Sequence, residues 1–144
     1  MARKRANGKA AGTLGRVLVV EDDAILALAT EDALRAAGAE EVTICSTTAE
    51  ALSALRDGSH DQLVLDVHLA DRDDGWAIAE LVAEVAPDPP RIVFSTGAPD
   101  DIPEQIAELG PVLVKPYDTA ELIALLRQPP RQGLFARLRG KIRT

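Results

Sequence analysis

Aromatic residues and cysteine are scarce in this sequence. Phe, Trp and Tyr make up 3% of the 144 residues, so a core must be built from Val, Leu, Ile and Ala. The single cysteine, Cys45, excludes a disulfide within the chain. No apolar run approaches the roughly 18 residues that a membrane span requires, and no apolar stretch follows the basic N-terminus as in a signal peptide. These absences predict a cytoplasmic protein with an aliphatic core.

Acidic residues are missing from both ends of the chain. All 23 of them lie between Glu21 and Glu121, and residues 17–126 contain only five basic residues, which gives that segment a formal charge of −18. The other eleven basic residues lie outside it. A domain with this negative charge is poorly suited to binding nucleic acid. We expect three segments: a basic N-terminal tail over 1–15, one domain over 16–127 and a basic C-terminal tail over 128–144.

Short apolar, β-branched runs alternate with segments of helical periodicity. The runs predict five strands, at 16–20, 42–45, 63–65, 91–94 and 112–114. The intervening segments predict helices, at about 24–37, 48–56, 76–85, 101–109 and 118–127. Five β/α alternations with short connections predict an α/β fold, in which helices cover both faces of a parallel sheet.

The first predicted helix shows how the helical faces are assigned. A mostly apolar stripe predicts its buried face, which is formed by Ile25, Leu28, Ala29, Asp32, Ala33 and Ala36. Gly38 is a suitable residue to end the helix, because glycine adopts the left-handed conformation found after many helices. Acidic residues at a strand-to-helix junction often serve only to favour a helix N-terminus, and this is one interpretation of Asp23.

Polar residues follow the predicted strands where each strand ends. They are Glu21, Asp22 and Asp23 after the first strand, Asp66 after the third, Ser95, Thr96 and Gly97 after the fourth, and Lys115 after the fifth. Ligands of open α/β sheets bind at this edge. Two carboxylates about 4 Å apart repel by about 4 kcal/mol at an effective dielectric near 20. A Mg²⁺ ion relieves that repulsion, and a lysine and a hydroxyl beside it are suited to binding phosphoryl oxygens.

Four motifs together resemble the receiver domain of two-component response regulators. They are Val17–Asp22, Leu63–Asp66, Phe94–Gly97 and Val112–Pro116, and the resemblance covers about residues 16–127. The resemblance implies a five-stranded flavodoxin-like sheet of order 2-1-3-4-5. It implies a signalling phosphoacceptor, which catalyses only its own phosphorylation and dephosphorylation and is not a conventional enzyme.

The resemblance also assigns a role to each site residue. Asp66 is implied to accept the phosphoryl group from a sensor histidine kinase or a histidine phosphotransfer protein. Mg²⁺, with Mn²⁺ as an alternative ion, is implied to be bound by Glu21, Asp22, Asp66 and the backbone carbonyl of His68. Thr96 and Lys115 are implied to contact phosphoryl oxygens, and the Lys115–Pro116 bond is implied to be cis.

Some positions depart from the family pattern. Ala70 replaces the usual proline after the acceptor, and Val112 stands where a switch aromatic is expected. Phe94-Ser95-Thr96-Gly97 resembles the "FAT GUY" group of stand-alone receivers, which also lack that aromatic, although Ala98 follows the glycine here. Too little sequence follows residue 127 for a DNA-binding output domain, so we expect output through protein contacts or phosphorelay.

Two other functions compete with this interpretation. The first is a metal-dependent phosphoesterase of Toprim-like type, in which Glu21 works with an Asp-x-Asp pair such as Asp71-Arg72-Asp73. The second is an unphosphorylated receiver-like module that only binds partners. In the C-terminal tail, apolar residues recur at Leu134, Leu138 and Ile142 among basic ones. Residues 129–144 therefore form either a segment that binds a membrane or an acidic partner, or a merely solubilising end.

Overall fold

A computed structural model describes residues 13–67, 78, 79, 82 and 89–128 of the chain. Strands and helices alternate along these residues. In chain order they are β1 (Arg16–Val20), α1 (Ala24–Ala36), β2 (Glu41–Cys45), α2 (Thr48–Asp57), β3 (Gln62–Asp66), β4 (Arg91–Thr96), a 3₁₀ turn (Pro99–Asp101), α3 (Glu104–Ala107), β5 (Val112–Val114) and α4 (Thr119–Arg127). The predicted order of elements is confirmed for this part of the chain.

The five strands form one parallel sheet of order β2-β1-β3-β4-β5. Val19 of β1 lies opposite Ile44 on one side and Val64 on the other, and Asp66 of β3 lies opposite Ser95 of β4. The predicted sheet order is therefore confirmed. Because all strands run in the same direction, their carboxyl ends share one edge of the sheet.

Aliphatic side chains fill two cores, one on each face of the sheet. Along β1, Leu18 and Val20 enter the core beneath α2, whereas Val17 and Val19 enter the core beneath α1 and α4. The central strands are buried on both faces, which explains why their sequences are continuous apolar runs. The sheet therefore holds the residues at its carboxyl edge in fixed positions.

The predicted buried face of α1 is wrong. The helix buries Ala27, Thr30 and Leu34, whereas Ile25 is 82% exposed and Leu28 is 59% exposed. The other members of the predicted stripe are also exposed or only half-buried: Ala29, Asp32, Ala33 and Ala36. Because α1 carries apolar residues on two faces, one with Leu34 and one with Ile25 and Leu28, periodicity alone does not distinguish which face is buried. The face that packs against the sheet is the one with Leu34, and the second apolar face points outward.

The ends of α1 follow from local chemistry. The Asp23 carboxylate caps the helix by accepting hydrogen bonds from the backbone N–H groups of Ile25 and Leu26, at 3.0 and 3.1 Å. Gly38 follows the helix with φ of +99°, a conformation that glycine adopts without steric cost. Both residues therefore have the end-of-helix positions that the sequence indicates.

The helix predicted over 101–109 is divided in the structure. A 3₁₀ turn covers Pro99–Asp101, and a helix covers only Glu104–Ala107. Pro103, with φ of −58° and ψ of 145°, separates them. Proline lacks the N–H that a continuous helix would use, which explains the division.

Several sequence predictions lie outside the described residues. Ile78, Ala79 and Val82 are helical and buried, within the range predicted as the helix after Asp66, but the rest of that range is not described. The predicted loop before it and both basic tails also lie outside. Among the described residues, the longest and most apolar helices fall short of what crossing a membrane requires.

Candidate functional site

Four strands bring polar side chains to the carboxyl edge of the sheet. Glu21 directly follows β1, Asp66 ends β3, Thr96 ends β4, and Lys115 directly follows β5. Backbone hydrogen bonds extend the ladder to these positions: Glu21 N–H donates to the Cys45 carbonyl at 2.9 Å, and Lys115 N–H donates to the Thr96 carbonyl at 2.7 Å. The position of each residue is thus set by the sheet itself.

Three carboxylates meet at this edge. One oxygen each from Glu21, Asp22 and Asp66 lies within 4.8 Å of the others. Glu21 and Asp66 are almost fully buried, with 4% and 3% of their surface exposed. Hard oxygen ligands with room for water and phosphate are the set that Mg²⁺ prefers. The donor chemistry of this cluster therefore fits Mg²⁺, while His68, expected to add a carbonyl, lies outside the described residues.

Lys115 is the cation of the site. Its Nζ lies 3.0 Å from Oε1 of Glu21 and 3.4 Å from Oδ2 of Asp66. Burial opposes the charge of Lys115, but the hydrogen bond to Glu21 and the negative charge of Asp66 outweigh burial and raise its pKa above the usual value. The lysine therefore stays charged and holds the two carboxylates together. The sequence did not indicate the ion pair with Glu21.

Glu21 has a perturbed acidity. Its pKa is raised from 4.5 to about 7 as the net result of opposing effects. Burial is the largest and raises the pKa, the hydrogen bond from Lys115 lowers it, and the nearby charge of Asp66 raises it. A strongly perturbed carboxyl in a cleft with like and opposite charges is typical of functional sites. A divalent cation bound among these carboxylates would offset the cost of burying their negative charge.

Thr96 lies at the edge of the site and is fully buried. Its hydroxyl oxygen accepts a hydrogen bond from the Ala98 N–H at 2.9 Å. The Lys115–Pro116 peptide bond is cis. On β5, Val112 pairs with Phe94 at the position where the family pattern has an aromatic.

An apolar groove lies beside the carboxylates. It has a volume of about 540 Å³, and its walls come from the first turns of α1, with Ile25 and Ala29, and from the segment after β5, with Pro116 and Tyr117. Sequence reasoning missed this groove because it assigned Ile25 to the core. The available signal was the second apolar face of α1, which the core does not need.

The comparisons with known proteins match this architecture. The family described as the response regulator receiver domain matches residues 17–127. The chain belongs to the receiver-domain family. It is 33% identical over 119 residues to the transcriptional regulatory protein PrrA of Mycobacterium tuberculosis and of Mycobacterium bovis. That alignment covers 80% of this chain and 49% of PrrA, so the chain spans about half the length of these curated relatives.

Solved receiver structures are similar in fold. A CheY-like receiver domain from Methylobacillus flagellatus has a TM-score of 0.71 and 25% identity, with coverage of 80% of this chain and 98% of that one. SdrG from Sphingomonas melonis Fr1 has a TM-score of 0.66 and 32% identity, with coverage of 78% and 93%. The receiver fold is therefore shown, and receiver domains are signalling phosphoacceptors of two-component systems that bind Mg²⁺ through acidic residues and interact with histidine kinases.

Proposed function

We propose that this receiver accepts a phosphoryl group on Asp66 in a Mg²⁺-dependent reaction, from a phosphohistidine of a sensor kinase or a phosphotransfer protein. The observation that carries the proposal is the position of the Asp66 carboxylate. It is held at the end of a buried strand, grouped with Glu21 and Asp22, and lies 3.4 Å from the Lys115 ammonium. An acceptor needs a fixed nucleophile and local positive charge, and these groups supply both.

The transfer is a displacement at phosphorus. A carboxylate oxygen of Asp66 forms the new P–O bond, and the P–N bond of the phosphohistidine breaks. The electron pair of the broken P–N bond stays on the imidazole nitrogen, and this nitrogen takes a proton from water. Glu21 and Asp22, together with Asp66, would hold Mg²⁺, which when bound neutralises charge on the phosphoryl oxygens. Lys115, already beside the Asp66 carboxylate, is placed to contact one of those oxygens.

Thr96 is proposed as the switch residue. Its hydroxyl accepts a hydrogen bond from the Ala98 N–H, and a hydroxyl that accepts can still donate its own proton. A phosphoryl group on Asp66 introduces strong acceptor oxygens. Donation from Thr96 to such an oxygen would move the segment that follows β4. Because Val112 replaces the switch aromatic, we propose that this movement acts on α3 and β5 without an aromatic side chain.

The exposed apolar residues of α1 supply a docking face for the phosphodonor. Ile25 and Leu28 lie on the helix whose first turn begins two residues after the acid pair. A protein donor must place its histidine against Asp66, so it requires a contact surface beside the site. Apolar residues at the rim of an acidic pocket are suited to that contact.

Output is proposed to run through protein contacts or phosphorelay from a domain over 16–127 flanked by basic tails. The curated relatives are named as transcriptional regulators, but the similarity covers only half of their length. The Toprim-like alternative depends on Asp71-Arg72-Asp73, which lies outside the described residues, and family membership does not favour it.

Beryllofluoride, a phosphoryl mimic, tests the proposal. We expect Mg²⁺ and beryllofluoride together to shift the amide signals of Thr96, Ala98 and Lys115 saturably in the wild-type protein. Asp66→Asn should abolish the shifts, and Asp32→Asn, which removes an exposed carboxylate of α1, should leave them intact. A protein that binds Mg²⁺ but gives no shifts with beryllofluoride would support the metal-hydrolase alternative. A protein that responds to neither would support the interaction-only module.

A further inference from the structure

The outward apolar face of α1 lacks a cover among the described residues. Ile25 is 82% exposed and Leu28 is 59% exposed, and the 540 Å³ groove beside Ile25 continues this surface towards Tyr117. Exposed apolar residues that adjoin a groove mark an interaction surface. A helix in a receiver of this size has no packing need for a second apolar face, because Leu34 and its neighbours already fill the core.

The C-terminal end of α4 lies beside the helix that carries this surface. The Arg127 guanidinium donates to the Ala37 carbonyl at 2.8 Å, so the end of α4 lies beside the end of α1. Arg91 donates hydrogen bonds to the Gln128 carbonyl and to carbonyls in the last turn of α4, and these bonds hold the end of α4 in position. Gln128 therefore lies at the C-terminal end of α1, on the same face of the sheet.

The distance back along α1 matches the sequence that follows. At about 1.5 Å per helical residue, Leu28 lies about 14 Å from Ala37 along the helix axis. Residues 129–133 include Pro129-Pro130 and span up to about 17 Å when extended. That span exceeds the distance along α1 from Ala37 to Leu28, so the segment is long enough to follow the helix back towards Leu28.

The chemistry of the two partners is complementary. The tail repeats Leu134, Leu138 and Ile142 between basic residues and contains no acidic residue. The α1 surface combines its apolar residues with exposed carboxylates such as Asp23 and Asp32. Apolar contact fixes the position of such a segment, and opposite charge favours the encounter.

We propose that residues 134–142 dock intramolecularly on the outward face of α1 and in the adjoining groove. The docked segment covers the α1 surface that the proposed function assigns to the phosphodonor. It therefore competes with the phosphodonor for binding to that surface. Only that consequence depends on the proposed function. The docking itself is independent of phosphorylation.

Paramagnetic broadening tests the docking in the full chain. Ala136→Cys places a thiol between Leu134 and Leu138 for a nitroxide label. The native Cys45 is buried, and burial raises the pKa of its thiol, so the label should react at position 136. We expect amide signals over 24–32 to lose most of their intensity, while those of α2, on the opposite face of the sheet, keep theirs.

Matched variants separate docking on α1 from nonspecific contact between the labelled tail and the domain. Leu134→Gln and Leu138→Gln in the labelled chain keep the tail charge and should restore the signals of α1. The proposal is overturned if these variants keep the broadening, or if α1 and α2 are affected equally, since α2 also exposes a carboxylate at Glu50. It is also overturned if labelled chains broaden α1 of separate isotope-enriched chains, because the occupant is then a second copy. None of these readouts involves Asp66, so a failure of the proposed phosphorylation would be recognised separately.

Discussion

Glu21→Gln should stabilise the metal-free protein at neutral and alkaline pH. The pKa of Glu21 is raised from 4.5 to about 7, mainly by burial, so the folded protein holds this proton more tightly than the unfolded chain. A group whose pKa is raised on folding contributes stability at low pH that is lost as the pH rises from about 4.5 through about 7. Glutamine has a similar shape and no charge, so the variant should not show this loss.

The size of the effect follows from the two pKa values. The difference of about 2.5 in pKa corresponds to about 3 to 4 kcal/mol above pH 7, at about 1.4 kcal/mol per unit. This value already includes the favourable hydrogen bond that Lys115 donates to the charged carboxylate. Most of the loss falls between pH 5 and pH 8. We therefore expect the advantage of the variant to grow by about 2 to 3 kcal/mol over that range.

Urea denaturation in the presence of a chelator measures this difference at the two pH values. Glu108→Gln, which removes an exposed carboxylate, is the control and should follow the wild type. Added Mg²⁺ should stabilise the wild type at pH 8 and have a smaller effect on Glu21→Gln. If Glu21→Gln were no more stable than the wild type at pH 8, the buried carboxylate would not carry the inferred electrostatic cost.

Two further predictions concern the fold. Val19→Ala, at a position 1% exposed, should lower the free energy of unfolding by about 2 kcal/mol, whereas Val114→Ala, 46% exposed, should change it by less than about 0.5 kcal/mol; equal losses in urea denaturation would contradict the assigned core. Gly110→Ala should cost about 1–3 kcal/mol or more, because an added Cβ would lie 1.9 Å from the Ile92 carbonyl oxygen. Gly97→Ala is the control: its added Cβ meets nothing within 4 Å, and the melting temperature should stay nearly unchanged. A Gly110→Ala protein as stable as the wild type would show that the close approach of Gly110 to Ile92 is wrong.

The residues that meet at the carboxyl ends of the strands are predictable from the sequence because two simple rules act together. Apolar runs identify the strands, and parallel strands place their carboxyl ends at one edge, so the meeting of Glu21, Asp66 and Lys115 follows without knowledge of loop conformation. The caps at Asp23 and Gly38 were predictable for the same reason, since each depends only on neighbouring residues.

The orientation of α1 was not predictable from local sequence. It carries apolar residues on two faces, and packing against β1 and α4 selects the face with Leu34 over the face with Leu28. The division of the segment after β4 depends on Pro103, which the prediction of one helix overlooked. The ion pair between Lys115 and Glu21 joins residues 94 positions apart, so only the folded chain reveals it.

The most direct test of the central claim is to identify the residue that carries the phosphoryl group. The protein would be incubated with Mg²⁺ and phosphoramidate, whose P–N bond resembles that of phosphohistidine, and then reduced with borohydride, which converts an aspartyl phosphate to homoserine. Peptide mass mapping should find homoserine at position 66, only when Mg²⁺ is present and never in Asp66→Asn. Modification at another residue, or no modification of a folded protein that binds Mg²⁺, would contradict the account.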